Sequence, residues 1–179
     1  MLGPMTTPSK DTPQASSTPD RIQLRQNMAE TSKAQYAVTD TIIARANELG
    51  ISRAALELAF VRVSQANKCA YCTDVHARLA TKFYSEEGVA ADEISRKLTL
   101  APGWREAFGV YSDLEQAGLE IAEAVTLVAD TDGALSDAAY DRLRSQLGDD
   151  VLSVFLMGCI NMNVFNRIHL FSKTVVGQP

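Results

Sequence analysis

Reactive side chains are scarce in this chain. Its 179 residues include three cysteines, two histidines and one tryptophan. Basic residues do not outnumber acidic ones: 17 Lys and Arg stand against 22 Asp and Glu, a net charge of −5. That balance argues against a general binder of nucleic acid or of anionic membrane surfaces, which work through positive patches. No apolar run reaches the length of about 20 residues that a bilayer crossing needs. The longest candidate, Val151 to Ile160, is interrupted by Ser153 and Gly158 and followed by Asn161. The first twenty residues lack the apolar segment of a secretory signal. The cytosol is therefore the expected compartment, without membrane contact. No glycine-rich loop follows a strand pattern, so no nucleotide cofactor is expected. Alternating runs bounded by turn residues are also missing, and no segment is forced to be a strand.

What is present is helical periodicity. Met1 to Asp20, rich in Pro, Ser and Thr, reads as a mobile tail. Arg21 to Lys33 reads as a polar, weakly helical lead-in, so that tail and lead-in occupy residues 1–33 and the domain residues 34–174. Tyr36, Ile42, Ile43, Ala46 and Leu49 form an amphipathic pattern that stops at Gly50. Ser52 is placed to cap the next helix, with Leu56, Phe60 and Val63 on its buried stripe. That helix ends near Asn67 and Lys68. Another starts at Cys69–Ala70, with Val75, Leu79 and Phe83 expected inward, and fades between Ser85 and Gly88. Ala91 to Leu100 follows, then a break at Pro102–Gly103 and an aromatic connection of Trp104, Phe108 and Tyr111. Asp113 to Ala129 is predicted helical, with Leu114, Ala117, Ile121, Ala124, Val125 and Val128 inward. A turn is expected at Thr131–Asp132–Gly133. Ser136 caps a helix carrying Ala139, Tyr140, Leu143 and Leu147, and Gly148 stops it. The last helix is apolar nearly all round from Val151 to Phe165, which implies a core position or a neighbouring subunit. The expected fold class is all-α, one domain of about six to eight helices joined by short turns.

Two of the three cysteines and one of the two histidines fall in one stretch, ELAFVRVSQANKCAYCTDVH, from Glu57 to His76. In a helix starting near Cys69, Cys69 and Cys72 are i and i+3, with Cα atoms roughly 5–5.5 Å apart, inside the disulfide window of about 4.4–6.8 Å. The unsatisfied N–H groups of a first helical turn favour thiolate. His76 is i+4 from Cys72 and in reach of its proton, directly or through a water. Glu57 shares a stripe with Val61 and Ser64 on the preceding helix. In an antiparallel hairpin that stripe faces His76 and can orient it. The same four side chains also make a zinc reading conceivable, but the chain has no second half-site to complete one. A purely structural cysteine pair fits a reducing compartment poorly.

LELAFVRVSQANKCAYCTDVHARLA resembles the core of the AhpD-like alkylhydroperoxidases, within the carboxymuconolactone decarboxylase superfamily. The pattern is Glu, eleven residues, Cys-x-x-Cys, three residues, His, and Glu57, Cys69, Cys72 and His76 fit it throughout. WREA at Trp104, AEAVTLVAD from Ala122, LSDAAYD from Leu135 and INMNVFNR from Ile160 extend the likeness over about Ala34 to Lys173. Many members have Gly where this chain has Lys68, and Tyr71 stands where some carry a second histidine. The segment from Phe83 to Ile94 is also longer than usual. The resemblance implies an AhpD-like helical domain and a peroxidase cycle on organic hydroperoxides. In that cycle Cys72 attacks, Cys69 resolves, and His76 and Glu57 form the relay. It also implies reduction by an external lipoyl or thioredoxin-like dithiol, assembly into trimers, dimers or hexamers, and no metal or organic cofactor. Position alone leaves the attacking sulfur open: Cys72 is nearer His76, Cys69 nearer the helix end. The rival functions are a protein disulfide reductase or redox adaptor, a lactone decarboxylase of the same superfamily, and a non-enzymatic redox or zinc module.

The remaining polar or reactive residues carry plainer expectations. Cys159 reads as a small buried hydrophobe. His169 reads as a surface or interface residue, and Trp104, Phe108 and Tyr111 as core or subunit packing. Asn163, Asn166 and Arg167 are expected to brace the site or an interface.

Overall fold

The computed structural model describes residues 21–130 and 135–177. The expected tail at Met1–Asp20 and the turn at Thr131–Gly133 lie outside them. Among the described residues every regular element is helical, as the periodicity implied. The order is α1 (Leu24–Asn27), α2 (Ala29–Glu48), α3 (Arg53–Ala66), α4 (Ala70–Glu86), α5 (Ala91–Leu100), a 3-10 segment (Ala101–Glu106), α6 (Asp113–Thr126) and α7 (Asp137–Ser172).

The starts and stops follow local chemistry. Ser52 Oγ accepts the Ala55 N–H at 3.1 Å, and Ser136 Oγ that of Ala139 at 3.2 Å, caps worth about 1 kcal/mol each. Ser112 and Glu115 form a reciprocal capping box at the start of α6. Gly148 has φ 75°, so the expected stop is a break that divides α7 into two rods. The expected lead-in holds the short α1 and the first turn of α2, which begins at Ala29, five residues ahead of the Ala34 start read from the pattern. This early stretch is held at the far end of the chain, where the Leu24 N–H and Gln23 Nε2 both bond Ser172.

α3 is the central rod, flanked by α4, α6 and α7. The three-residue stripe expected for it understates its burial: Ala54 to Val61, Val63 and Ser64 are all buried. Small residues let its neighbours close in. A Cβ on Gly158 of α7 would stand 2.9 Å from Phe60, and one on Gly118 of α6 would stand 2.8 Å from Phe155.

Three expected faces are corrected. On α4 the buried row is Cys72, Ala80 and Tyr84, while Val75, Leu79 and Phe83 are only half-buried. The row rotates because the Tyr84 hydroxyl reaches Glu115 inside the domain. α6 ends at Thr126, and Val128 is exposed. Trp104 and Tyr111 pack with Leu58, Ala101 and Leu119, but Phe108 is 86% exposed and takes no part. The 36 residues of α7 include a window apolar enough by composition to be weighed as a membrane span, yet 56% of that window is buried, as in a core helix.

Candidate active site

α3 and α4 form the antiparallel hairpin that the Glu57 argument required. Ser52 Oγ, at the start of α3, donates to Glu87 just past the end of α4. At the other end of the hairpin the Cys69 N–H donates to Ser64 O at 2.9 Å. The turn between them passes through Lys68, whose φ of 58° lies in the left-handed region. That region strains a side chain and suits glycine, which gives the Lys68 departure a physical meaning.

Cys69 is the N-cap of α4, and its Sγ accepts the Cys72 N–H at 3.4 Å. Both thiols are free, and they are only 1% and 2% exposed. The Cys72 thiol, together with its backbone N–H, outweighs burial and lowers the Cys69 thiol to about 7. The Cys69 sulfur and burial push Cys72 the other way, well above the usual thiol range. Of the two thiols, Cys69 is therefore the one that gives up its proton more readily.

Glu57 is wholly buried and fully engaged. One carboxylate oxygen receives Arg53 Nε at 2.8 Å and Nη2 at 2.7 Å, and the other meets His76 Nδ1 at 2.6 Å. Burying an unpaired carboxylate is costly, and two partners offset that cost. The guanidinium of Arg53 also lies 5.1 Å from the Phe83 ring centroid. Arg53 was missed in the sequence, although its i,i+4 spacing to Glu57 was the available signal. The His76 ring stands edge-on to Phe60 at 5.5 Å, and no described residue bonds its other nitrogen. The structure thus joins Glu57 to His76 and Cys69 to Cys72. No hydrogen bond links Cys72 to His76. Among the described residues no three His, Cys, Asp or Glu side chains gather as a metal site would need.

The last helix braces this turn, as expected of its asparagines. Asn163 accepts from Asn67 Nδ2 at 2.9 Å and from Arg167 at 2.8 Å, while Asn166 Nδ2 donates to Ser64 Oγ at 3.3 Å. Cys159 is fully buried, with its thiol pushed up to about 12 by burial. His169 departs from expectation. It is buried and stacks on Tyr71 at 4.4 Å.

The sequence profile of the Carboxymuconolactone decarboxylase family matches residues 30–124, from the start of α2 to near the end of α6. The chain belongs to this family. The match takes in Glu57, Cys69, Cys72 and His76 and stops short of α7. A family-level relative, the uncharacterized protein YdfG of Bacillus subtilis (strain 168), is 30% identical over 120 residues, covering 67% of this chain and 74% of YdfG. A crystal structure from Agrobacterium tumefaciens superposes with a TM-score of 0.69 at 26% identity, covering 89% of this chain and 99% of that one. It is described as a protein of unknown function and a candidate AhpD antioxidant-defence protein. The carboxymuconolactone decarboxylase family, read first from the motif, is therefore that of this protein, and its fold is shared with the Agrobacterium structure.

Proposed function

We propose that this protein is an alkylhydroperoxidase-type thiol peroxidase that reduces organic hydroperoxides through Cys69 and Cys72. One observation carries the reading: a free, nearly inaccessible dithiol at a helix start, one turn ahead of an imidazole held by a buried carboxylate. The Cys72 thiol gives up its proton toward His76, which Glu57 orients and Arg53 keeps in register. Cys72 sulfur attacks the outer peroxide oxygen, the O–O bond breaks, and the alkoxide takes the proton held by His76 and leaves as the alcohol. Cys72 is then a sulfenic acid. The Cys69 thiolate attacks that sulfur, the S–O bond breaks, and the departing hydroxide takes up the proton that Cys69 had released and leaves as water. The sum is two thiols and one hydroperoxide converted to one disulfide, one alcohol and one water. Cys69, the thiol held low, supplies the thiolate of the resolving step, while the first attack by Cys72, whose thiol is pushed up, depends on passing its proton toward His76.

Burial favours this reading over a protein disulfide reductase. A protein disulfide has to reach sulfurs that are 1% and 2% exposed, whereas a hydroperoxide is small. The same argument favours a slender lipoyl-type dithiol as reductant over a thioredoxin-like surface. A second copy of the chain is proposed to cover the exposed apolar residues Met157, Ile160, Val164 and Phe171 on α7. Light scattering tests that assembly. Hydroperoxide consumption with a dithiol donor tests the function. Steady turnover with a Cys69–Cys72 disulfide intermediate is expected. No consumption across several hydroperoxides, with protein disulfides reduced instead, would sink it. Dimedone trapping in Cys69→Ser should label Cys72, and a sulfenate trapped on Cys69 in Cys72→Ser would reverse the roles.

A further inference from the structure

His169 lies near the end of α7, outside the family match at residues 30–124. It is 6% exposed. Behind it the chain end wraps round. Nδ1 shares a hydrogen bond with Thr174 Oγ1 at 2.9 Å, the Thr174 N–H donates to His169 O at 3.1 Å, and Lys173 between them is left-handed at φ 52°. The imidazole is therefore fixed in place from one side. Its other side meets Tyr71, with ring centroids 4.4 Å apart and planes inclined by 32°. Tyr71 sits between the two cysteines in the first turn of α4. Burial, Arg25 and His76 together press the His169 imidazole down to about 4. At neutral pH the ring stacks uncharged and adds no positive charge beside the thiols.

We propose that His169 is a positioning residue for the dithiol: through Tyr71 it ties the Cys69–Cys72 turn to the end of α7 and so sets the balance between dithiol and disulfide. The inference rests on the redox reading above. Closing the disulfide draws two sulfurs together within one turn, so side chains of that turn must adjust. The stack is formed with both thiols free. A contact made more fully in one state than the other shifts the equilibrium toward that state, and only that difference counts. Tyr71 is thereby held in the arrangement of the reduced form. In exchange with a small disulfide, the two thiols lose two electrons and two protons and form the Cys69–Cys72 bond. The small disulfide takes up both electrons and both protons, and its own S–S bond breaks.

The test equilibrates wild type, His169→Ala, His169→Phe, Tyr71→Ala and the double alanine variant against mixtures of oxidised and reduced dithiothreitol. Thiols are then alkylated and counted by mass spectrometry. His169→Ala and Tyr71→Ala should each move the equilibrium constant about fivefold toward disulfide, about 20 mV, as expected for one aromatic contact. The double variant should move no further than either single one. His169→Phe keeps a ring and should stay within about twofold of wild type. Alanine variants that titrate with wild type, single effects that multiply in the double variant, or a phenylalanine variant that shifts as far as alanine would each overturn the inference. Should His169→Ala not fold, half-exposed Tyr71→Ala and His169→Phe carry the same comparison. A wild-type protein that never forms the disulfide overturns the proposed function and this inference together. One that cycles while all variants titrate alike overturns the inference alone.

Discussion

Two buried carboxylates, Glu57 and Glu115, are built from similar parts and left in different states. Glu115 accepts Lys97 Nζ at 2.8 Å, the Ser112 N–H at 2.7 Å and the Tyr84 hydroxyl. Lys97 gives another bond to Val110 O at 2.7 Å, and Tyr111 closes the circle by donating to Lys97 O at 2.7 Å. Every strong group there is spoken for, and the cluster ties α4, α5 and α6 together. Around Glu57 the circle is open. Arg53 saturates one oxygen and His76 the other, but the far nitrogen of His76 has no partner among the described residues. A closed polar cluster fixes architecture, while an open one keeps a proton acceptor available. On the proposed function, the difference separates a structural use of a buried charge from a chemical one within the same domain.

Removing either sulfur breaks the chemical side most completely. Cys72→Ser or Cys69→Ser should abolish disulfide formation and multiple-turnover peroxide consumption, leaving thermal unfolding close to wild type. Glu57→Gln comes next, with turnover expected to fall by about 10²–10⁴-fold, the usual worth of acid–base assistance. Steady-state assays measure it, and an activity within threefold of wild type would place Glu57 with Glu115 as architecture.

The structural side should break in the opposite sense. Lys97→Met leaves Glu115 buried without its cation and should cost about 3–5 kcal/mol in urea unfolding. The fraction that remains folded should turn over peroxide at the wild-type rate. Glu115 also predicts an acid limb. Burial opposes its charge, but Lys97, Tyr84 and the Ser112 N–H outweigh burial and hold the carboxyl below the usual range. Its folded pKa is thus depressed, so its contribution is complete above the unfolded carboxylate range and is lost as pH falls through the folded value. Urea midpoints from pH 7 to pH 3 should fall less steeply in Glu115→Gln.

Two smaller effects sharpen the site. Iodoacetamide labelling of Cys69 in the reduced protein should rise as pH climbs through about 7, while Cys159, pushed up to about 12, stays unlabelled. Peptide mapping would reveal a contrary order. Lys68→Gly should stabilise the fold by about 1 kcal/mol, because the left-handed turn before Cys69 no longer strains a side chain. An unchanged melting temperature would show the strain to be absent.

Legibility in the sequence followed distance along the chain. The cap at Ser52, the break at Gly148, the helix at Ala91–Leu100 and the placing of both cysteines at a helix start were all readable. Each is decided within a turn or two, where spacing and backbone chemistry act directly. The Arg53–Glu57 pair was equally local and went unread, because its meaning depends on Glu57 being buried. Phe108 shows the reverse failure: an aromatic residue reads as core, yet in this chain it faces outward.

By itself, then, the sequence determined an all-helical chain of this family with two thiols at a helix N-terminus and an imidazole one turn on. Only the tertiary structure decided that Arg53 takes the second oxygen of Glu57, that Glu115 is locked away by Lys97, and that His169 comes back from the last helix to rest on Tyr71. The physical reason is range. Local torsions and hydrogen bonds are set by neighbours in sequence. Pairing between helices is set by how the whole core packs, and that sum cannot be read from any one segment.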